Sequence, residues 1–372
     1  MGSQYHIKDT SRIFTPALLF YKDLIRRNIA RAIEIAGRTD RLRPHVKTHK
    51  TPEIVRMELE AGIVKHKCAT LAEAEMLAAC GAEEIFIAYN MVGPNCLRLA
   101  RLMKAHKRCQ FAVTGDSEQA LRFLSAVMAE NEQEVDVLLD LDVGQHRTGV
   151  TPAEGAVSLY MLCARLSGLR PGGLHVYDGH QHQEVLSERR AAVEKEMAPV
   201  LRLRSQLLDS GLPVPRIVAG GTPTFPIYAQ MDIPGLECAP GTCFLHDHGY
   251  GSRYLDIAGF TPAALLLTRV ISRPTPNRIT VDLGYKAIAS DPPAGKRCFF
   301  IDVPGAEAVL HNEEHLVVET RAAERFTPGD EIYAIPTHVC PTVAMHEIAH
   351  VVENGEVTEQ WQITARDRFL NY

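Results

Sequence analysis

The sequence predicts an α/β fold made of a (β/α)8 barrel of the TIM type and a second, mostly antiparallel β domain. Between residues 20 and 245, short apolar or β-branched runs alternate with longer segments of helical period, as in repeated βα units. Eight strand-like runs in roughly 220 residues fit a barrel better than an open sheet. From about residue 250 the strands are separated by Pro, Gly and Asn-Gly turns, which are typical of antiparallel pairing.

The predicted barrel begins with the helix LIRRNIARAIEIAG, residues 24–37. The predicted strands follow in the order RPHVK, VKHKCA, EIFIA, RCQFAV, VDVLLDLD, GGLHVY, PRIVA and GLECAP. Each strand but the last precedes a segment of helical period, and one such segment begins with a capping box, Thr70 with Glu73. We therefore expect the barrel domain at residues 22–249, with an open doubly wound sheet as the structural alternative.

The second domain is expected to comprise residues 1–21 and 250–372. Its predicted strands lie in RVISRPTPNRITVDLG, KRCFFIDV, AVLHNEEHLVVE, GDEIYAI and AHVVENGEVTEQWQIT. The early run PALLFY, residues 16–21, precedes the first barrel helix and is expected to pair with these strands.

The composition favours small-molecule chemistry. The 372 residues are 46% hydrophobic and 23% charged, and a formal net charge of -5 offers no basic surface for nucleic acid. No signal-peptide pattern is present and no uncharged apolar run is long enough to span a membrane, so we expect a cytoplasmic protein. The nine cysteines include no C-x-x-C pair, which argues against a disulfide framework.

Polar and small side chains collect just after the predicted strands, where a βα barrel places its active site. After the first, fifth and sixth strands they are His45, Lys47 and His49; Asp142, His146 and Arg147; and Tyr177, His180 and His182. After the last two strands they are Gly220, Gly221, Thr222 and Thr224, and then Gly241 and Thr242. This concentration predicts a ligand site at that end of the barrel.

The glycines and threonines of the last two loops suit a phosphate group. They present main-chain N–H groups and hydroxyls with little steric cover. One such loop alone is more often a plain turn, but two on neighbouring strands favour a phosphate site. Facing an anionic aromatic ligand, Arg147 would bind a phenolate and Tyr177 a ring nitrogen; the alternative is that both are solvated loop residues.

The stretch RPHVKTHK, residues 43–50, concentrates positive charge where a core strand is expected. A Lys47 amine surrounded by His45, His49 and Lys50 has its charged form disfavoured, so more of it is the free amine that attacks a carbonyl. Lys47 is therefore a candidate Schiff-base lysine. The alternative is a basic cluster that only binds phosphate.

Five segments, RPHVKTHK, DVGQHRTG, GGTPTF, PGTCFLHD and PTHVCPT, together resemble the D-threonine aldolase and D-serine dehydratase family of fold type III pyridoxal-phosphate enzymes. The resemblance covers nearly the whole chain. It implies a barrel like the N-terminal domain of alanine racemase with a β domain appended. It also implies that Lys47 is the internal aldimine lysine and that Arg147 and Tyr177 hold the pyridoxal ring. The phosphate would be held by Gly220, Gly221, Thr222, Gly241 and Thr242.

His338 and Cys340, in PTHVCPT, form a candidate metal pair. We expect this segment to be extended, so that both side chains point to one face, about 7 Å apart at the backbone. A thiolate and an imidazole suit zinc, and manganese, cobalt or magnesium is an alternative if waters and substrate oxygens complete the site. A buried cysteine beside a structural histidine is the simpler explanation of the residues alone. The resemblance implies a divalent ion at this position.

The sequence HEIAH, residues 346–350, matches the H-E-x-x-H pattern of zinc proteases. That pattern places two histidines one turn apart on a helix. An Asn-Gly hairpin signal four residues after His350 leaves no room for that helix. We therefore expect no protease site here, although His346 could line the predicted site or contact the metal.

The resemblance implies chemistry on D-3-hydroxy amino acids by one of two routes. If a neutral histidine removes the hydroxyl proton, the Cα–Cβ bond breaks and glycine and an aldehyde result, as in the aldolases. If Lys47 removes the Cα proton while the metal polarises the hydroxyl, water and then ammonia are lost, as in the dehydratases. His180 and His182 favour the aldolase, with His182 the expected base, whereas Cys340 is typical of the dehydratase branch.

Two other functions share this barrel. A pyridoxal-phosphate homeostasis protein would resemble the barrel without a β domain. A racemase would need a second base from the β domain, for which Tyr285 is the obvious candidate. The resemblance also implies a homodimer.

Overall fold

The computed structural model describes residues 2–371, which fall into two compact units. The β unit comprises residues 2–32, Thr48–Ile54 and Thr242–Arg366, and the barrel unit comprises Ile33–Lys47, Val55–Gly241 and residues 367–371. Residues 22–32 and 242–249, which the sequence assigned to the barrel domain, belong to the β unit in this division. No helix among the described residues has the length and apolar character needed to cross a bilayer.

Strand β1 (Ala17–Tyr21) and helix α1 (Lys22–Ala36) come first in the chain. The barrel unit contains seven parallel strands in the order of the sequence, β2 to β8. Their bounds are β2 (Lys65–Cys68), β3 (Glu84–Asn90), β4 (Gln110–Gly115), β5 (Val135–Leu141), β6 (Leu169–Val176), β7 (Ile217–Ala219) and β8 (Leu236–Cys238). The helices are α2 (Pro52–Glu60), α3 (Leu71–Cys80), α4 (Pro94–Ala105), α5 (Glu118–Glu130), α6 (Glu154–Arg165), α7 (Leu186–Asp209) and α8 (Phe225–Tyr228).

The segment predicted as the first barrel strand, RPHVK, is not a regular strand. The Arg43 N–H donates to the Cys238 carbonyl at 2.9 Å, and the Pro44 carbonyl accepts from the Lys67 N–H at 2.7 Å. Parallel bridges join Leu42 to Cys238 and His45 to Lys67. Pro44 has no N–H to donate, which interrupts the ladder. Residues 42–45 therefore lie between β8 and β2 and continue the ring of strands, so the predicted barrel is confirmed although its first strand is wrong.

Both ends of the barrel interior are polar, and apolar residues fill the middle. Phe86, Ala112, Leu138, Val218 and Ala239 pack together in the middle of the strands. At the N-terminal ends, the fully buried Arg43 is hydrogen-bonded to Glu237 and lies 2.7 Å from Glu84. Arg216 joins the same network by contacting Glu84 and Asp136, at 3.2 and 2.9 Å. The apolar layer and these ion pairs leave the opposite ends of the strands for a site.

The β unit is built on a sheet with the strand order β12-β13-β10-β9-β1-β15-β16, to which β14 adds through β9 and β11 through β14. Its further elements are α9 (His248–Arg253), β9 (Ala264–Thr275), β10 (Arg278–Val281), β11 (Cys298–Phe300), β12 (Glu307–His311), β13 (Leu316–Glu319), β14 (Glu331–Pro336), α10 (Val339–Met345), β15 (Ile348–Glu353) and β16 (Glu356–Gln362). All strand pairs are antiparallel except β1 with β15. The predicted pairing of PALLFY with this sheet is confirmed, because β1 lies between β9 and β15.

Candidate active site

Three basic side chains surround the ring of Tyr177 in the barrel unit. Tyr177 directly follows β6, Arg147 lies in the loop after β5, and Lys47 lies in the 3-10 turn Val46–Thr48. The centroid of the Tyr177 ring is 5.7 Å from Lys47 Nζ and 5.0 Å from Arg147 Cζ. Lys67, on β2, is the third basic residue, with its Nζ 5.5 Å from the same centroid. The structure therefore brings together Lys47, Arg147 and Tyr177, as predicted, and adds a lysine that sequence reasoning missed.

The histidines beside Lys47 in the sequence turn to the main chain. Nδ1 of His45 accepts from the Lys47 N–H at 3.4 Å, and Nδ1 of His49 accepts from the Thr51 N–H at 3.1 Å. The basic side chains that share the Tyr177 ring with Lys47 are Arg147 and Lys67.

Lys67 belongs to a buried chain of three side chains. Its Nζ lies 2.8 Å from His175 Nε2, and His175 Nδ1 lies 2.7 Å from Asp140 Oδ1. These residues are only 2%, 5% and 6% exposed, respectively. Burial, and after it the charge of Lys47, lowers the pKa of Lys67 to about 7, and burial and Lys67 lower the pKa of His175 to about 4. The sequence signal was the run KHKC, because a buried parallel strand is ordinarily apolar.

The loop after β7 is built around glycine. Gly220 has φ 77°, and a Cβ there would lie 2.6 Å from Cδ2 of Tyr228. The Gly221 N–H donates to Thr224 Oγ1 at 3.2 Å, and Thr224 Oγ1 donates to Asp178 Oδ1 at 3.0 Å. Burial raises the pKa of Asp178 to about 6. Gly220 therefore holds the main chain at the end of β7 in a conformation that other residues rarely adopt.

The loop after β8 meets the same region of the barrel unit. The Gly241 N–H donates to Thr222 Oγ1 at 3.3 Å, so the two predicted phosphate loops are neighbours. Thr242, the next residue, belongs to the β unit. Its hydroxyl lies 3.6 Å from the sulfur of Cys340 in that unit. The predicted phosphate residues up to Gly241 are therefore gathered in the barrel unit.

These residues fit pyridoxal phosphate on chemical grounds. The Lys47 amine suits an aldehyde carbon, and small residues with hydroxyls on two adjacent loops suit a phosphate. Around Lys67, the charges of Lys47 and Arg147 oppose protonation, and the carboxylates of Asp140 and Asp178 favour it. The charges of Lys47 and Arg147, together with a Lys67 amine that can take up a proton, suit an anionic ligand.

The two histidines predicted as bases lie in the loop after β6, in different surroundings. His180 Nε2 is 2.8 Å from Oε1 of Glu196 on α7. Burial raises the pKa of Glu196. His180 lines a cleft of 650 Å³ together with Asp142 and His146. His182 is exposed. A carboxylate thus orients His180, whereas the ring of His182 faces solvent.

The candidate metal pair lies at the start of α10. His338 is the extended residue before the helix, with φ -130° and ψ 100°, and Cys340 lies in the first turn. The expectation that the whole segment is extended is wrong. Pro341 is tolerated in a first turn, and Asp247 Oδ2 accepts a hydrogen bond from the Val339 N–H at 3.1 Å. The Asp247 carboxylate therefore caps the helix that the sequence pattern did not reveal.

The side chains of His338 and Cys340 nevertheless interact. Burial lowers the pKa of His338, but the hydrogen bond to Cys340 and the Asp291 carboxylate outweigh it and raise that pKa to about 9. His338 Nδ1 lies 2.5 Å from Asp291 Oδ2, and the sulfur of Cys340 lies 3.2 Å from Thr48 Oγ1. Within residues 2–371, no group of three or more His, Cys, Asp or Glu side chains could hold a metal. An imidazole and a thiol in contact fit a divalent ion whose other ligands are not protein side chains of these types.

The HEIAH sequence does not form a helix. His346 follows α10 and donates from Nε2 to the Ala287 carbonyl at 2.8 Å, while His350 lies in β15. Asn354 and Gly355, with φ 52° and 73°, form the predicted hairpin turn to β16. The two histidines are therefore not one helical turn apart, and the expected absence of the protease arrangement is confirmed for this segment.

Comparisons with known proteins agree with this architecture. Residues 22–242 match the alanine racemase N-terminal domain model, and residues 263–352 match a serine dehydratase domain model. D-threonine aldolase from Arthrobacter sp. is 31% identical over 96% of this chain and 93% of its own. The crystal structure of D-threonine aldolase from Filomicrobium marinum has a TM-score of 0.88, at 29% identity, and covers 95% of each chain.

A D-threo-3-hydroxyaspartate dehydratase is also similar. The enzyme from Delftia sp. is 27% identical over 94% of this chain and 96% of its own. Crystal structures of this dehydratase as two alanine mutants, one of a histidine and one of a cysteine in the metal-free form, have TM-scores of 0.82 at 25% identity. They cover 94% of this chain and 95% and 97% of theirs, and the mutated histidine and cysteine lie two positions apart. With a racemase-type barrel followed by a dehydratase-type β domain, the chain belongs to the D-threonine aldolase and D-serine dehydratase family.

Proposed function

We propose that the protein is a lyase, dependent on pyridoxal 5'-phosphate and a divalent metal, that cleaves D-3-hydroxy amino acids such as D-threonine to glycine and an aldehyde. The observation that carries this proposal is the placement of the Lys47 amine and the Arg147 guanidinium around the Tyr177 ring. The similarity to D-threonine aldolases over nearly the whole chain supports the choice of reaction.

Different residues of the barrel unit would bind different parts of the pyridoxal phosphate cofactor. Lys47 would bind the aldehyde carbon of the cofactor, and Arg147 and Tyr177 would hold its ring. Gly220, Gly221, Thr222 and Gly241 would hold its phosphate. When bound, pyridoxal phosphate supplies an electron sink for the negative charge that develops at Cα.

A histidine in the loop after β6 would act as the base in carbon-carbon cleavage. It would remove the proton from the β-hydroxyl of the substrate, so that the Cα–Cβ bond breaks and the aldehyde leaves. His182 is the proposed base, since its ring is exposed, whereas Nε2 of His180 is engaged by Glu196. The neutral form is needed, because an imidazolium has no lone pair to accept the proton.

His338 and Cys340 would hold the metal, with manganese or zinc the preferred ions. A metal supplies positive charge to an oxygen without itself carrying a proton. The same histidine-cysteine spacing is present in the dehydratase whose cysteine mutant is in the metal-free form. Asp291, in contact with Nδ1 of His338, would orient the imidazole.

A D-3-hydroxyaspartate or D-serine dehydratase is the second candidate function. The observation that favours it is Cys340, because the dehydratase relative also has a histidine and a cysteine at this spacing. In that reaction Lys47 would remove the Cα proton and the hydroxyl would leave as water. The racemase alternative has less support, since Tyr285 is 37% exposed and its ring packs 6.0 Å from His311.

The test is a product assay with D-threonine. The protein is stripped of metal with a chelator, then supplied with pyridoxal phosphate and either manganese or zinc. Glycine and acetaldehyde in equal amounts, dependent on the metal and absent from Lys47→Ala, are the expected products. Formation of 2-oxobutanoate and ammonia instead would replace the aldolase by the dehydratase. An L-threonine control reports the enantiomer used.

We also infer a homodimer, as in the family. Light scattering of the purified protein should give twice the mass of one chain. A monomer that is fully active would contradict this inference.

A further inference from the structure

The barrel interior holds a second lysine that the proposed reaction does not use. Lys67 is only 2% exposed, yet its Nζ lies 5.5 Å from the centroid of the Tyr177 ring, on which Lys47 and Arg147 also converge. A lysine in a purely structural role would ordinarily be paired with a carboxylate. The hydrogen-bond partner of Lys67 is instead an imidazole, at 2.8 Å.

The partners of Lys67 fix how its amine is oriented. An ionised carboxylate can only accept hydrogen bonds, so His175 must donate from Nδ1 to Asp140. His175 Nε2 then carries the lone pair and accepts from Lys67 Nζ. This bond exists whether Lys67 is an ammonium or a neutral amine, because both forms donate. The amine is therefore held in place in either protonation state.

Burial is the largest influence on Lys67 and disfavours its ammonium form, and the charged groups around it act in both directions. The charge of Lys47, in the 3-10 turn Val46–Thr48, and that of Arg147, in the loop after β5, disfavour the ammonium. The carboxylates of Asp140, on β5, and of Asp178, the residue after Tyr177, favour the ammonium. The neighbouring aromatic face is Phe86, whose ring centroid is 6.0 Å from Nζ. One additional negative charge nearby would tip this balance toward the ammonium.

We propose that Lys67 is a third basic residue facing the cofactor, that its amine is largely neutral in the empty barrel, and that it takes up one proton from solvent when the anionic cofactor binds. The proton goes to the lone pair of Lys67 Nζ and no other bond changes. Lys67 thereby matches the charge of the site to that of the ligand. This inference rests on the proposal that the barrel binds pyridoxal phosphate.

The experiment uses pyridoxine 5'-phosphate, which has the phenol and phosphate of the cofactor but no aldehyde to react with Lys47. Its binding to the cofactor-free protein is measured by calorimetry at pH 7.5 in buffers of different ionisation enthalpy, which yields the number of protons taken up. Lys67→Met removes the titrating group, and Lys67→Arg keeps a permanent cation. Lys65→Met is the matched control, because Lys65 lies two residues earlier on the same face of β2, with Nζ 2.9 Å from Oε1 of Glu237.

With a pKa of about 7, roughly three-quarters of the Lys67 side chains are neutral at pH 7.5. We expect the wild type and Lys65→Met to take up about 0.7 proton more than Lys67→Met and Lys67→Arg. The affinity of the wild type should fall as the pH rises above 7, and that of Lys67→Arg should lack this dependence. If Lys67→Met does not fold, judged by circular dichroism, the comparison with Lys67→Arg decides.

The outcomes separate the two proposals. If the wild type binds pyridoxine 5'-phosphate with the same proton uptake as both Lys67 variants, Lys67 does not respond to the ligand and this inference is overturned. If the wild type does not bind pyridoxine 5'-phosphate at all, the proposed cofactor itself is wrong. A proton difference that is confined to the Lys67 variants supports both.

Discussion

At the scale of single residues, the proposed base is one of two histidines that lie in different surroundings. His182→Ala should lower kcat for D-threonine cleavage by about 10²- to 10⁴-fold, the usual contribution of a general base. His180→Ala should have a smaller effect, because its ring is engaged by Glu196 at 2.8 Å. His315→Ala, at an exposed position of the β unit, is the control. A large loss in His180→Ala with an active His182→Ala would reverse the assignment.

Two glycines with nearly the same backbone conformation give a second residue-scale prediction. Gly220 and Gly211 have φ of 77° and 73°, but a Cβ on Gly220 would lie 2.6 Å from Tyr228, whereas nothing lies within 4 Å of one on Gly211. Gly211→Ala should therefore cost only the backbone term, about 1–2 kcal/mol. Gly220→Ala should lower the free energy of unfolding further and weaken pyridoxine 5'-phosphate binding, measured by urea titration and calorimetry. Equal losses in both variants would mean that the contact with Tyr228 is harmless.

Site residues that follow strands and have the chemistry the ligand needs were predictable from the sequence. A site residue that is identified only by what it packs against in the fold was not. Lys47, Arg147 and Tyr177 were found because they follow strands where a barrel places its site, and the structure brings them together. Lys67 was missed because it lies inside a strand, where only the fold reveals that its side chain reaches His175 on β6. His45, a sequence neighbour, also contacts Lys47 through the main chain, since its Nδ1 accepts from the Lys47 N–H.

At the scale of elements, the side-chain caps of two helices predict losses of unfolding free energy of different size. Thr70 Oγ1 accepts from the Glu73 N–H at 3.1 Å, so the predicted cap of α3 forms. The Glu73 carboxylate bonds back to the Ala69 N–H at 2.6 Å, one residue before the Thr70 N–H that a capping box would use. Ser117 caps α5 with a longer bond, 3.5 Å. Thr70→Ala should cost about 1 kcal/mol of unfolding free energy, and Ser117→Ala less. The reverse order in urea unfolding would contradict this reading of the caps.

The start of α10 gives a prediction about metal content. His338→Ala and Cys340→Ala should each reduce bound manganese or zinc from about one ion per chain to nearly none, because a site with two protein ligands cannot lose one and keep its affinity. Elemental analysis after dialysis measures this. Cys109→Ala, in the barrel unit and half-buried, should keep its metal. Retention of metal by both α10 variants would place the ion elsewhere.

Local pattern predicted the order and type of most elements but failed where a distant partner decides. RPHVK looks like a strand, yet Pro44 breaks its ladder and main-chain bonds to Cys238 and Lys67 hold it in the ring of strands. The segment after His338 looks extended, yet it is helical because the Asp247 carboxylate, 92 residues away in sequence, accepts from the Val339 N–H. Neither partner can be recognised from the segment itself.

At the scale of the whole molecule, the ion pairs at the N-terminal ends of the barrel strands bear on stability. The side chain of Arg43 is 0% exposed and contacts Glu237 and Glu84. Arg43→Met would leave both carboxylates without this partner and should cost roughly 3–5 kcal/mol of unfolding free energy. Arg170→Met is the matched control, since the Arg170 side chain is 53% exposed where it meets Asp136, and should cost less than about 1 kcal/mol. Similar losses in both would show that burial does not matter here.

The loss of unfolding free energy in Arg43→Met should depend on pH, because Glu237 titrates. Burial raises the pKa of Glu237, but Arg43 outweighs it and holds that pKa below its ordinary value of 4.5. The stability that this pair contributes is present above about pH 4.5 and is lost as the pH falls through the folded-state pKa. In Arg43→Met, Glu237 keeps Lys65 as a partner but loses the larger influence that opposes burial, so its pKa rises and acid relieves part of the cost of the buried charge. We therefore expect the difference in unfolding free energy between wild type and Arg43→Met to be large at pH 7 and to shrink toward pH 4. An equal difference at both pH values, measured by urea unfolding, would mean that the loss comes from packing alone and not from the buried charge.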